Sequence, residues 1–155
     1  MKMFWILALA AALAAGCGKN PSGNAPAHLH EAVPPHGGTP LALNDDCQIE
    51  WVLDAPNHKL QAFFLDGEME NFVRISANSF LVTAGGKTLF FRAVANNATG
   101  ETVGDTSLFE AQADWLKTNV SFNGVVQEVT VHDATFKNAH FTFPKGNAPD
   151  TGAAK

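Results

Sequence analysis

Cys47 to Leu53 read CQIEWVL, so Cys47, Ile49, Trp51 and Leu53 fall on one face of an extended chain and Gln48 and Glu50 on the other. A period of two over seven residues is the signature of a half-buried strand, and it excludes the 3.6-residue period of an amphipathic helix. Similar runs recur along the chain. Asp54-Ala55-Pro56-Asn57 marks a turn, and Leu60 to Leu65 returns as LQAFFL. Asn71 to Ile75, Ser79 to Ala84 and Lys87 to Ala95 follow, the last two joined by Gly85-Gly86. Two glycines between β-prone runs predict a tight hairpin, whose turn needs positive φ. Val125 to Val131 and Thr135 to Phe143, rich in β-branched and aromatic residues, predict a final pair.

One stretch breaks this pattern. Ser107 and Glu110 have the spacing of a capping box, and Leu108, Ala111 and Trp115 recur at helical intervals, which predicts a short helix from about Ser107 to Lys117. About seven strands, one helix and no βαβ alternation predict a mainly β fold, an antiparallel β-sandwich or open barrel with one short helix. The β-domain should span 36–144, roughly 110 residues and enough for one core. A flexible His-containing tether (17–35) and a disordered tail (145–155) flank it, both rich in Pro, Gly and Asn.

Before the tether, Lys2 precedes twelve apolar residues, Phe4 to Ala15, too few for the ~20 that a bilayer-spanning helix needs. The expected reading is an export signal over 1–16. Leu13-Ala14-Ala15-Gly16-Cys17 resembles the lipobox of bacterial lipoproteins, though Ala14 stands where leucine is commonest. The resemblance implies that Cys17 is lipidated and becomes the new N-terminus. It implies a membrane partner through the lipid anchor and a periplasm-facing location, with the outer membrane favoured because Gly18 follows the cysteine. Of the two cysteines Cys47 is then left without an intramolecular partner. The net charge is −5, one unit more negative once Lys2 leaves with the leader, which argues against nucleic acid as a partner.

No enzyme motif survives inspection. His30-Glu31-Ala32-Val33 begins like the zinc-protease HExxH, but Pro34 replaces the second histidine and forbids the helix. Gly85-Gly86-Lys87-Thr88 ends like a phosphate-binding loop, yet Leu81 stands where its first glycine belongs. There is no Gly-x-Ser-x-Gly elbow. Asp66, Glu68 and Glu70 read as a solvated turn. The expectation is a protein without catalysis.

Metal chemistry fits better. Three of the six histidines fall between positions 28 and 36. His28 and His30 are two apart, so an extended backbone turns both imidazoles to one side, with His36 within reach beyond the prolines. Such a set suits Cu(II), Zn(II) or Ni(II), with affinity rising as the imidazoles lose protons.

PHGGTPLAL (35–43) followed by CQIEWVLD (47–54) is similar to a small periplasmic domain with a His-Gly-Gly-Thr opening and a strand of the form His-x-Glu-Leu-Val. That domain occurs in lipoproteins and in periplasmic adaptor subunits of heavy-metal efflux pumps. The similarity is best over residues 35–75. It implies that His36 is the first functional residue, that Gly37 and Gly38 turn the backbone, and that Glu50 is the acidic strand residue. The chain departs from the pattern at Gln48, where the second histidine would stand. A metal site inside the domain would then draw on Cys47, Glu50 or His58. Cys47 can be a thiolate ligand for copper or zinc, or a small hydrophobe on the apolar face of its strand. The expected metal contacts are therefore His28, His30, His36, Glu50 and Cys47, in a protein accessory to metal efflux or homeostasis. The competing expectation is a structural or interaction lipoprotein that docks an envelope protein, with no metal role.

Overall fold

The structure is a computed structural model that describes residues 33–147. Eight strands form one antiparallel sheet in the order β1-β2-β3-β6-β5-β4-β7-β8, curled so that its two ends approach. β1 is Thr39–Ala42, β2 Cys47–Asp54, β3 Lys59–Asp66 and β4 Ser79–Ala84. β5 is Lys87–Ala93, β6 Leu108–Gln112, β7 Phe122–Val131 and β8 Ala134–Phe143. The mainly β, barrel-like architecture is the one the period-two runs predict.

The expected helix over Ser107–Lys117 is instead strand β6 followed by a 3₁₀ turn at Asp114–Lys117. Its residues satisfy both periods, because Phe109 and Ala111 alternate inward as well as any helical stripe would. Tertiary contacts decide between them. β6 pairs with β3 from Lys59–Gln112 to Phe63–Leu108. Ser107 gives its backbone N–H and hydroxyl to Glu101, not to a helix. Glu110 accepts from Lys59 and Gln61 on β3, so the supposed capping box never forms. Asn71–Ile75 is likewise no strand: it makes one isolated bridge to β3, Leu65–Phe72, and one to the segment before β6, Ile75–Thr106.

Inside the barrel the indole of Trp51 on β2 stacks on Phe141 of β8 at 4.5 Å and meets Phe91 of β5 edge-on at 5.4 Å. The core is thus spanned from one side to the other by aromatic rings. Phe141 can lie there because its cross-strand partner is Gly124, where any Cβ would come within 2.3 Å of the ring. The Trp51 N–H is buried without an acceptor among the described residues, a desolvation cost of roughly 1–3 kcal/mol set against the burial of a large ring. The apolar face of the β7–β8 hairpin changes parity between Val126 and Val129, beside Asn138 at φ +53°.

The seam between β1 and β8 is closed by Asn147, whose side-chain amide spans to the backbone of Ala42 at 3.5 and 3.4 Å. Residues 145–147, which the composition places in the tail, therefore belong to the barrel wall.

Candidate functional site: the His36–Glu50 clasp

A short strap, Pro34 to Gly38, crosses the outer face of β2. Gly37 donates its N–H to the Pro34 carbonyl at 3.0 Å, closing a turn with Pro35 at its second position, where the fixed φ of proline is suited. Gly37 takes φ +68°, and Gly38 then lies flat against the strand. A Cβ on Gly38 would stand 2.5 Å from the Trp51 carbonyl oxygen and 2.8 Å from the Glu50 side chain. The His-Gly-Gly sequence is thus required for close approach, one residue turning the chain and the next leaving it room.

Beneath the strap lies Glu50. Its place on the polar parity of β2 predicts a solvent-facing carboxylate, yet it is fully buried. The strap provides the donors. Glu50 Oε1 accepts the backbone N–H groups of His36 at 2.9 Å and Gly38 at 2.8 Å, and Oε2 accepts from His36 Nδ1 at 2.8 Å. Three donors on one carboxylate are the compensation that burial of such a group demands.

The imidazole is also held by its faces. His36 stacks on Phe63 of β3 with centroids 3.9 Å apart and planes inclined by 16°, and Phe72 leans in at 5.9 Å. Glu50 and Phe63 are cross-strand partners, so the register of β2 and β3 places the carboxylate and the ring platform side by side. With Nδ1 committed to Glu50, the ring carries a proton there, and Nε2 is its lone-pair nitrogen in the neutral tautomer. Nε2 has no protein partner among the described residues, and the side chain is 35% exposed. A histidine whose Nδ1–H is anchored on a carboxylate while Nε2 faces outward has the orientation found in metal-ligating histidines.

The other expected ligands separate from this point. Cys47 faces the barrel interior and is 4% exposed, on the opposite face of β2 from Glu50. Burial, then the charges of Asp46 and Asp66, push its thiol up to about 11, which makes it a small core hydrophobe. Glu50 has its oxygens filled by the clasp. Among the described residues no group of three or more His, Cys, Asp or Glu side chains comes together. Gln48, at the position where the similar domain has its second histidine, donates from Nε2 to the Gly67 carbonyl and holds the end of β3. His58 turns its Nδ1 to Asp114 at 3.3 Å. His28, His30 and Cys17 lie outside the described residues.

A second buried carboxylate, absent from the expected site, closes the loop before β6. Glu101, 6% exposed, accepts the Ser107 N–H and hydroxyl through Oε1 and the Thr99 hydroxyl through Oε2. Burial alone would raise its pKa. The hydrogen bonds from Ser107 and Thr99, with the Arg74 charge, outweigh that and hold it below its ordinary value. Only its coincidence with hydroxyl-rich neighbours in sequence could have signalled it.

No family model matches the chain, and neither a curated protein nor a solved structure matches it.

Proposed function

We propose that the chain is a lipid-anchored domain of a bacterial envelope that binds a transition-metal ion through His36 and does not catalyse. The supporting observation is the clasp: Glu50 fixes Nδ1 of an imidazole stacked on Phe63, so that Nε2 alone is presented outward. The rest of the ligand set comes from His28 and His30. His30 stands six positions before His36, a span of at most about 20 Å, so the two segments can meet over one ion. Imidazole donors favour Cu(II) and Zn(II). The apolar leader ending at Cys17 supports a lipid anchor, with the outer membrane favoured, and an ion captured there fits a role accessory to metal efflux or homeostasis.

Calorimetric titration of the chain with Zn(II) and Cu(II) tests this. The parent should bind one ion more tightly than roughly 0.1 mM, the level casual surface histidines reach. His36→Ala, and separately His28→Ala with His30→Ala, should each weaken binding by about tenfold or more. Binding no tighter than that level in the parent, or unchanged affinity in His36→Ala, would overturn the assignment.

A further inference from the structure

On another part of the wall the barrel comes apart. β5 and β6 pair only at Arg92–Glu110 and Ala93–Phe109, although β5 reaches back to Lys87 and β6 runs on to Gln112. The Val94 N–H donates to the Leu108 carbonyl and the Ala93 N–H to the Asn78 carbonyl on the other side. Backbone groups of successive residues in a strand point to alternate sides. Those of Arg92, Phe90 and Thr88 therefore all face the seam, and the last two have no strand opposite them. A hollow of about 490 Å³ lies here, and Lys59, Thr88, Phe90, Arg92 and Gln112 are among the residues that line it.

The charges around the hollow are uneven. Lys59 is neutralised by Glu110 at 2.9 Å. Arg92 stacks its guanidinium 4.9 Å above the Phe90 ring and has no acidic partner or hydrogen-bond acceptor among the described residues. Lys87 also has no acidic partner there. A stacked guanidinium keeps its in-plane N–H groups free for a carboxylate. Phe90, 47% exposed, adds an apolar landing surface beside them.

We propose that this seam takes up a short extended segment of a partner protein, which adds to the free edge of β5 and places an acidic side chain against Arg92. Main-chain hydrogen bonds to Thr88 and Phe90 would supply the general affinity, and Arg92 the choice of an acidic sequence. The cations that recruit an acidic strand also deter pairing between two copies of β5, where like charges would meet. The docking is independent of metal binding at His36.

The probe is a displayed library of random short peptides, selected on the whole chain. Enriched sequences should alternate β-branched or apolar residues with Asp or Glu. They should bind Arg92→Glu at least about tenfold more weakly than the parent. Their binding should slow amide-hydrogen exchange at Thr88 and Phe90. Arg92 is exposed, and an unchanged circular dichroism spectrum would show that Arg92→Glu keeps the fold. Four results would overturn the proposal. One is that no acidic, strand-like sequence is enriched, and another is equal binding to Arg92→Glu. The third is exchange protection at β1 or β8 in place of β5. Protection of Thr88 and Phe90 that grows with protein concentration, without peptide, would assign the seam to a second copy and overturn it too.

Discussion

Glu50 and Glu101 solve the same physical problem with different partners. Each is a buried carboxylate that ties a loop to the barrel, and each accepts three short hydrogen bonds. Glu101 draws on two hydroxyls and one backbone N–H, and beyond the carboxylate these reach only other groups of the protein, as the Thr99 hydroxyl reaches the Asn96 carbonyl. Glu50 draws on two backbone N–H groups and an imidazole, and the imidazole has a second nitrogen on its far side. Both carboxylates hold the fold, but only Glu50 passes its orientation on to an atom that solvent and ions can reach. A buried acid acquires functional meaning through the valency left over on its partner.

That contrast can be broken by substitution. The largest effect expected is for Glu50→Ala, which removes the shared acceptor of two strap N–H groups and the imidazole and leaves a cavity beneath the strap. A loss of about 3 kcal/mol in denaturant unfolding is expected, and a loss below about 1 kcal/mol would show the clasp to be ornamental. Gly38→Ala should cost about 2 kcal/mol, since the strap must lift away from the Trp51 carbonyl and the donors leave Glu50 with it. Retained stability there would mean that the strap is not closely seated.

Glu101→Ala should cost about 2 kcal/mol, since it strands the buried Ser107 N–H and hydroxyl, without any change in metal affinity, since the His36 clasp is untouched. The two acids can also be told apart by pH. Glu101 is held below its ordinary value of 4.5, so on acidification the unfolded chain takes up this proton first. Its contribution is full above about pH 4.5 and is lost as the pH falls through the depressed folded value. Glu101→Gln should therefore flatten the acid limb of the stability curve, measured as unfolding midpoint against pH. The smallest effect on stability is expected for His36→Ala, about 1 kcal/mol, because the strap keeps its two backbone bonds to Glu50 and loses only the ring.

Much of the barrel is legible in the sequence, and the limits have local causes. β2, β3 and the β4–β5 hairpin are legible as strands because one side of each faces the core throughout, although Glu50 and Leu65 are buried on the other side as well. β1 is four residues long and contains Pro40, tolerable only because the strand lies at the sheet edge, so composition does not mark it as a strand. Leu108 to Trp115 satisfies helical and extended periods at once, and the choice is made by Glu101 and β3, which are distant in sequence. The face of His140 depends on the parity change near Asn138 and cannot be counted from the turn; the residue is exposed. The candidate site divides in the same way. His36 and Glu50 can be named from a resemblance, but alternation places Glu50 in solvent, because nothing local shows that a strap fourteen residues upstream covers it. Cys47 fits the core reading of its strand, and its orientation separates it from Glu50.

The most direct test is a long-range ¹⁵N–¹H spectrum of the His36 imidazole above neutral pH, with and without Zn(II). The ring should be protonated at Nδ1 and unprotonated at Nε2, and Zn(II) should shift Nε2 while Nδ1 keeps its proton. In Glu50→Gln that fixed tautomer should give way to a mixture. A ring protonated at Nε2, or an Nε2 resonance indifferent to Zn(II), would contradict the claim that Glu50 prepares His36 to hold a metal ion.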